Sequence, residues 1–90
     1  MVSAQTKIVN KTGLHARPAS AFVMKAKEFE SAVTLKNLDT DGNAVNAKSI
    51  MLILAQGLSQ GTNIEIAADG PDEQKAVDEL VALIDSGFGE

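Results

Sequence analysis

Cysteine, tryptophan and tyrosine are absent from this 90-residue chain, proline occurs twice and histidine once. Without cysteine there is no disulfide framework, no thiolate metal centre and no dithiol redox motif. With only Phe22, Phe29 and Phe88 as aromatics, the core must be mainly aliphatic. One histidine among scattered carboxylates supplies too few ligands for a metal site. No apolar run approaches the roughly 18 residues that span a bilayer. No basic and apolar leader precedes "KIVNKTG", so the expected setting is cytoplasmic. In that setting "NKT" at 10–12 is a chance match to a glycosylation sequon. A basic excess is lacking too: the net charge of −4 argues against a nucleic-acid binder.

What remains is the composition of a soluble globular protein, 44% hydrophobic and 22% charged. Residues 1–90 fit one domain, because so short a chain rarely divides its apolar residues between two cores. Charge is unevenly placed. Residues 1–50 hold seven Lys/Arg against four Asp/Glu, whereas residues 51–90 hold one Lys against eight Asp/Glu. The histidine lies in the basic half, which suits an anionic ligand or acidic partner; solvated helix faces account for the charges equally well.

"VSAQTKIV" at 2–9 alternates loosely as a strand and leads into the turn-rich "NKTG". From Ala16 to about Phe29, Ala19, Phe22, Val23 and Ala26 form the apolar stripe of a helix. "AVTLKNL" at 32–38 reads as a strand, and "DTDGN" as a tight hairpin turn in which Asp41 and Gly42 take positive φ. A short return strand follows at about Ala44 to Ala47. The run from Ile50 to Ala55 fits a buried strand or a short helix; Ser49 as N-cap and Gly57 as stop favour the helix. "NIEIAA" at 63–68 is a strand. A final helix over about Asp72 to Ile84 buries Val77, Leu80, Val81 and Ile84, with Pro71 at its entrance. Asp72 and Glu73 complement its positive end. The order β-α-β-β-α-β-α implies an α+β fold with helices on one face of a mainly antiparallel sheet.

Two motifs fail on inspection. "NLDTDG" begins like a calcium loop, but its twelfth position is Lys48 where a bidentate glutamate is needed. Gly57 and Gly61 lack the following Lys and Ser/Thr of a phosphate-cradling loop. "GLHARPAS" at 13–20 stands up better. With a helix starting at Ala16, His15 lies near the N-cap, beside backbone N–H groups that have no intrahelical partner. Those donors and the helix dipole make a weak anion site, to which Arg17 adds a permanently charged planar fork. Pro18 is tolerated in the first turn and stiffens the entrance. An imidazole there could attack phosphorus, with the amides and Arg17 holding the oxygens. On pattern alone, a structural or surface histidine is an equally good reading.

The segment "TGLHARPAS" resembles the phosphorylation-site signature of HPr, the phosphocarrier family of the bacterial phosphoenolpyruvate-dependent sugar phosphotransferase system. "VNAKSIMLILAQGLSQG" resembles the family's second signature around a regulatory serine. The similarity continues through "DGPDEQKAVDELVALI" and so covers essentially the whole chain. The resemblance implies an open-faced two-layer β-sandwich, with three helices on one face of a four-stranded antiparallel sheet. It implies that His15 accepts a phosphoryl group on Nδ1 from phosphorylated enzyme I and passes it to enzyme IIA of a sugar permease. Arg17 then supports the phosphoryl group, the backbone N–H of Ala16 lies beside it, and no metal or other cofactor is needed.

Ser49 matches the serine phosphorylated by HPr kinase/phosphorylase, in a form that also serves catabolite control protein A. Here Leu52 replaces the usual glycine and Gln56 also departs from the pattern. Ser20, Ile50, Met51 and Leu54 match the family's docking surface, and a ring of Arg17, Lys25, Lys27 and Lys48 would suit acidic partners. For any one of the apolar residues, burial in the core is the competing reading. A freely docking carrier is expected to be monomeric. Two other readings are a paralogous carrier of a nitrogen-type or dedicated pathway, and a regulatory protein acting through phospho-Ser49 on a transcription factor. The family's regulatory paralogue lacks the active histidine, so His15 favours the carrier. The "DTDGN" turn is about three residues longer than in common members, which should alter only an exposed loop.

Overall fold

A computed structural model describes residues 1–89. Four strands, β1 (Val2–Lys7), β2 (Ala32–Asn37), β3 (Val45–Asn46) and β4 (Asn63–Asp69), form one sheet in the order β1-β4-β2-β3, every neighbouring pair antiparallel. Helices α1 (Ala16–Lys27), α2 (Ile50–Ala55) and α3 (Glu73–Asp85) fill the intervals, and a short turn of 3-10 helix at Gly87–Gly89 follows. This is the open-faced α+β sandwich expected, with the order β-α-β-β-α-β-α.

Alternation in the strands decides which sheet face is covered. Ile64, Ile66 and Ala68 of β4 and Val33 and Leu35 of β2 are buried on one side. Against them lie Ala19, Phe22, Val23 and Ala26 of α1 and Ala76, Val77, Leu80 and Ile84 of α3. On the other side the register aligns Gln5 with Glu65 and Glu65 with Lys36, a polar row left to solvent. The α1 stripe is buried as its spacing requires, whereas Val81 of α3 is only half-buried and Ala76 takes a fully buried place.

The connection after β2 differs from the tight hairpin. Neither Asp41 nor Gly42 takes positive φ, and β3 pairs with β2 only through Thr34↔Asn46 and Leu35↔Val45. Side-chain hydrogen bonds shape the loop 38–44 instead. Asn37 Oδ1 accepts the Asp39 N–H at 2.9 Å, and Asp39 in turn accepts the Asn63 N–H at 3.0 Å and its Nδ2 at 3.1 Å. A loop anchored across to β4 has no need of the two-residue turn that Asp-Gly would otherwise favour.

The far end of α1 is held in a similar way. Asp72 heads α3 but makes no side-chain bond to its own helix. Its carboxylate accepts the Ser31 hydroxyl at 2.5 Å, the Ser31 N–H at 3.0 Å and the Glu30 N–H at 2.9 Å. Three donors favour the ionised form and hold the Asp72 carboxyl at about 2, well below its ordinary 3.8. The Ser31 hydroxyl is the largest cause. Gly70 passes so close that a Cβ there would lie 2.6 Å from Ser31 Cα.

Candidate functional site

The approach to His15 is a braced turn. Gly13 N–H donates to the Asn10 carbonyl at 3.2 Å, and Asn10 Nδ2 donates to the Gly13 carbonyl at 2.8 Å. Gly13 has φ +67°, and a Cβ would come within 2.3 Å of the Leu58 carbonyl oxygen. Glycine is required there on both grounds. Leu14 then donates its N–H to that same carbonyl at 2.8 Å and buries its side chain completely. With Leu14 turned inward, His15 is exposed.

His15 is the N-cap of α1, in extended geometry (φ −131°, ψ 157°), and its ring makes no capping bond. Ala16 follows at φ +49°, a region that costs an L-residue about 1–2 kcal/mol. Buried Leu14 on one side and buried Pro18 and Ala19 on the other hold it there. The first turn leaves the N–H groups of Ala16 and Arg17 without intrahelical acceptors, and Pro18 has no N–H to leave. An imidazole, two backbone donors and a guanidinium thus occur within three residues, on an exposed helix start that carries no acidic residue in its first turn. The arrangement can hold a tetrahedral oxyanion against a ring nitrogen.

Arg17 also walls a shallow cavity of about 200 Å³ with Pro18, Ala21, Leu83, Ser86 and Phe88. The last two were not anticipated from the sequence. Phe88 takes φ +56° between two glycines and folds back onto the core beside the α1 entrance. The usable signal was an aromatic residue, one of only three, set in "GFG" past the final helix.

Ser49 is the N-cap of α2. Its Oγ accepts the Leu52 N–H at 3.3 Å, and its carbonyl accepts the Ile53 N–H at 3.1 Å. Between α1 and α2 runs a groove of about 190 Å³ lined by Ser20, Val23, Met24, Lys27 and Ile50. Met51 and Leu54 stand exposed on the first turns of α2, and Ile53 alone of that helix is buried. Ser20, Lys27 and Ile50 are therefore brought together. Met24 was missed, although its place outside the Ala19/Phe22/Val23/Ala26 stripe marked it as an apolar residue facing water.

Lys25 and Lys48 do not join the ring around this groove. Lys25 reaches across to Glu79 of α3 at 2.8 Å and lies 5.9 Å from the Phe29 ring centroid. That pairing raises the lysine and lowers the glutamate from their ordinary values, the Lys25–Glu79 hydrogen bond being the main cause for each. Lys48 donates to the Phe29 carbonyl at 2.7 Å, tying the approach to α2 to the end of α1. Of the four cations expected to ring the docking surface, Lys27 lines this groove, Arg17 lines the neighbouring cavity, and Lys25 and Lys48 bind the chain itself, because the sequence pattern does not reveal which neighbour a long side chain meets.

Fold and site together define a small α+β domain that offers a solvent-facing histidine at a helix N-terminus. The chain belongs to the HPr family, the phosphocarrier family of the phosphotransferase system: the family model described as "PTS HPr component phosphorylation site" matches residues 2–86. HPr-C-His from Thermoanaerobacter tengcongensis superposes with a TM-score of 0.93 at 48% identity, covering 100% of this chain and 98% of that one, and an HPr dimer from the same organism superposes at 0.77. The HPr-like protein Crh of Bacillus subtilis is 44% identical over 93% of this chain and 95% of its own length. A multiphosphoryl transfer protein of Vibrio cholerae is 43% identical over 98% of this chain, which spans only 22% of that longer protein. Among the described residues, no helix is long and apolar enough to cross a membrane.

Proposed function

We propose that this protein is a cytoplasmic, monomeric phosphoryl carrier that takes its phosphoryl group from phosphorylated enzyme I and delivers it to enzyme IIA of sugar permeases. The observation that carries this reading is the exposed, uncapped His15 at the start of α1, with Arg17 two residues on. The Nδ1 lone pair attacks phosphorus and forms the new N–P bond as the donor's bond to phosphorus breaks. The N–H groups of Ala16 and Arg17 and the Arg17 guanidinium share the negative charge on the transferring oxygens. Delivery runs the same step in reverse onto the acceptor. The groove between α1 and α2, with Ser20, Ile50, Met51, Leu54 and Lys27 about it, seats both partners in turn.

Incubation with enzyme I, phosphoenolpyruvate and magnesium, followed by intact mass measurement, tests the reading. One acid-labile phosphoryl group is expected, lost in His15→Ala with the fold retained. An acid-stable adduct, or labelling that survives the substitution, overturns it. Arg17→Ala should slow transfer by about 10²-fold, the scale of one lost transition-state donor.

Similarity over nearly its full length to Crh, the catabolite repression HPr of Bacillus subtilis, favours a second, regulatory role, for which Ser49 is the candidate residue. A phosphate on Ser49 Oγ would keep the capping geometry and place negative charge beside Ile50 in the groove, opposing an acidic partner. Kinase and nucleotide should add one acid-stable phosphate, absent in Ser49→Ala. If the kinase of the same organism leaves the wild type unmodified, that role fails, and Leu52→Gly then tests whether exposed Leu52 is what blocks recognition.

A further inference from the structure

We propose that Met24 and Met51 form an oxidation site through which hydroperoxides reversibly weaken docking at the groove between α1 and α2. The inference rests on the carrier reading, since docking there is part of it.

Methionine ordinarily fills gaps in aliphatic cores. This core has none: Met1, Met24 and Met51 are 83%, 67% and 75% exposed. Met24 lines the groove from α1, and Met51 follows Ile50, which lines it from α2. Met1 is elsewhere, its amino group 3.3 Å from Glu73 at the start of α3. With no cysteine in the chain, the exposed thioethers have no thiol to compete with for an oxidant.

The chemistry is a two-electron oxygen transfer. A sulfur lone pair attacks one oxygen of hydrogen peroxide, the S–O bond forms as the O–O bond breaks, and the other oxygen leaves as water after proton transfer. Sulfur is oxidised to the sulfoxide and the peroxide is reduced. A sulfoxide reductase restores the thioether with two electrons and two protons from a dithiol, which becomes a disulfide as the oxygen leaves as water. The product replaces two apolar contacts with strong hydrogen-bond acceptors at an interface that depends on excluding water. Neither methionine belongs to the core or to the braced Asn10–Gly13 turn, so the fold and the chemistry at His15 are untouched.

The full chain is treated with hydrogen peroxide, its sulfoxides are located by peptide mass, and transfer from enzyme I is measured before and after. The expected result is sulfoxide at positions 24 and 51, a KM for enzyme I raised about tenfold, an unchanged kcat, an unchanged circular dichroism spectrum, and recovery with methionine sulfoxide reductase. A Met24→Leu/Met51→Leu double variant, whatever its own starting KM, should show the same KM before and after peroxide. An unchanged KM in wild type carrying both sulfoxides overturns the proposal. So does an equal loss in the double variant, which would place the sensitive group at Met1 or His15. If the untreated protein accepts no phosphoryl group, the carrier reading fails and this inference with it; normal acceptance before peroxide with no change afterwards removes this inference alone.

Discussion

At the scale of single residues, position 13 sets the geometry on which His15 depends. Gly13→Ala would place a methyl group 2.3 Å from the Leu58 carbonyl oxygen in a left-handed conformation. The combined strain and overlap should cost about 2–4 kcal/mol. Denaturant unfolding measures the loss, and a variant within about 0.5 kcal/mol of wild type would contradict the described turn. Gly13, His15, Arg17 and Pro18 could be read as a cluster from the sequence, because each is distinctive in kind. Ala16 could not, since alanine carries no mark of the positive φ it adopts; the buried neighbours on either side impose it. Lys25 and Lys48 were legible as charges but not as partners of Glu79 and the Phe29 carbonyl, which lie far away in sequence.

At the scale of elements, the ends of helices do different work. Ser49 caps α2 with its own hydroxyl, and Ser49→Ala should cost about 1 kcal/mol. Thermal unfolding would then show a midpoint lowered by about 4–8 °C. Asp72 instead joins its helix to the loop between α1 and β2. Since folding depresses its carboxyl to about 2, that contribution is complete above the ordinary value of 3.8 and is lost as pH falls through about 2. Asp39, Glu73 and Glu79 are depressed as well and act in the same direction. Unfolding midpoints of wild type and Asp72→Ala, followed from pH 7 to pH 2, should converge in acid. A constant gap across that range would rule out Asp72 as a source of the acid dependence. The sequence signalled the cap at Ser49 and the acidic start of α3 at Asp72 and Glu73, but not the bonds from Asp72 to Glu30 and Ser31, and the loop after β2 was misread. "DG" favours a tight turn only when nothing else holds the strands, and Asp39 holds this loop to Asn63.

At the scale of the molecule, the order of elements followed from apolar periodicity together with cap and turn residues such as Ser49 and Gly57, whereas the strand order β1-β4-β2-β3 did not. Which strands pair depends on contacts between residues about sixty positions apart, such as Val2 with Ala68, and a periodic pattern does not encode partners. The charge asymmetry acquires a layout. Basic α1 faces acidic α3 through Lys25 and Glu79, while Arg17 and Lys27 of α1 stay at the exposed site and groove.

Helix α2 meets the core through Ile53, with half-buried Ile50 beside it, whereas β4 is paired on both edges and buries Ile64, Ile66 and Ala68. The molecule therefore keeps two clocks. Amide hydrogens of Ile50–Ala55 should exchange with deuterated solvent through local opening, faster than those of β4 by about 10²-fold or more. Uniform protection across both elements would contradict this. The hydroxyl of the serine at the head of α2 is released from the Leu52 N–H each time that short helix melts, on a timescale separate from the unfolding of the sheet behind it.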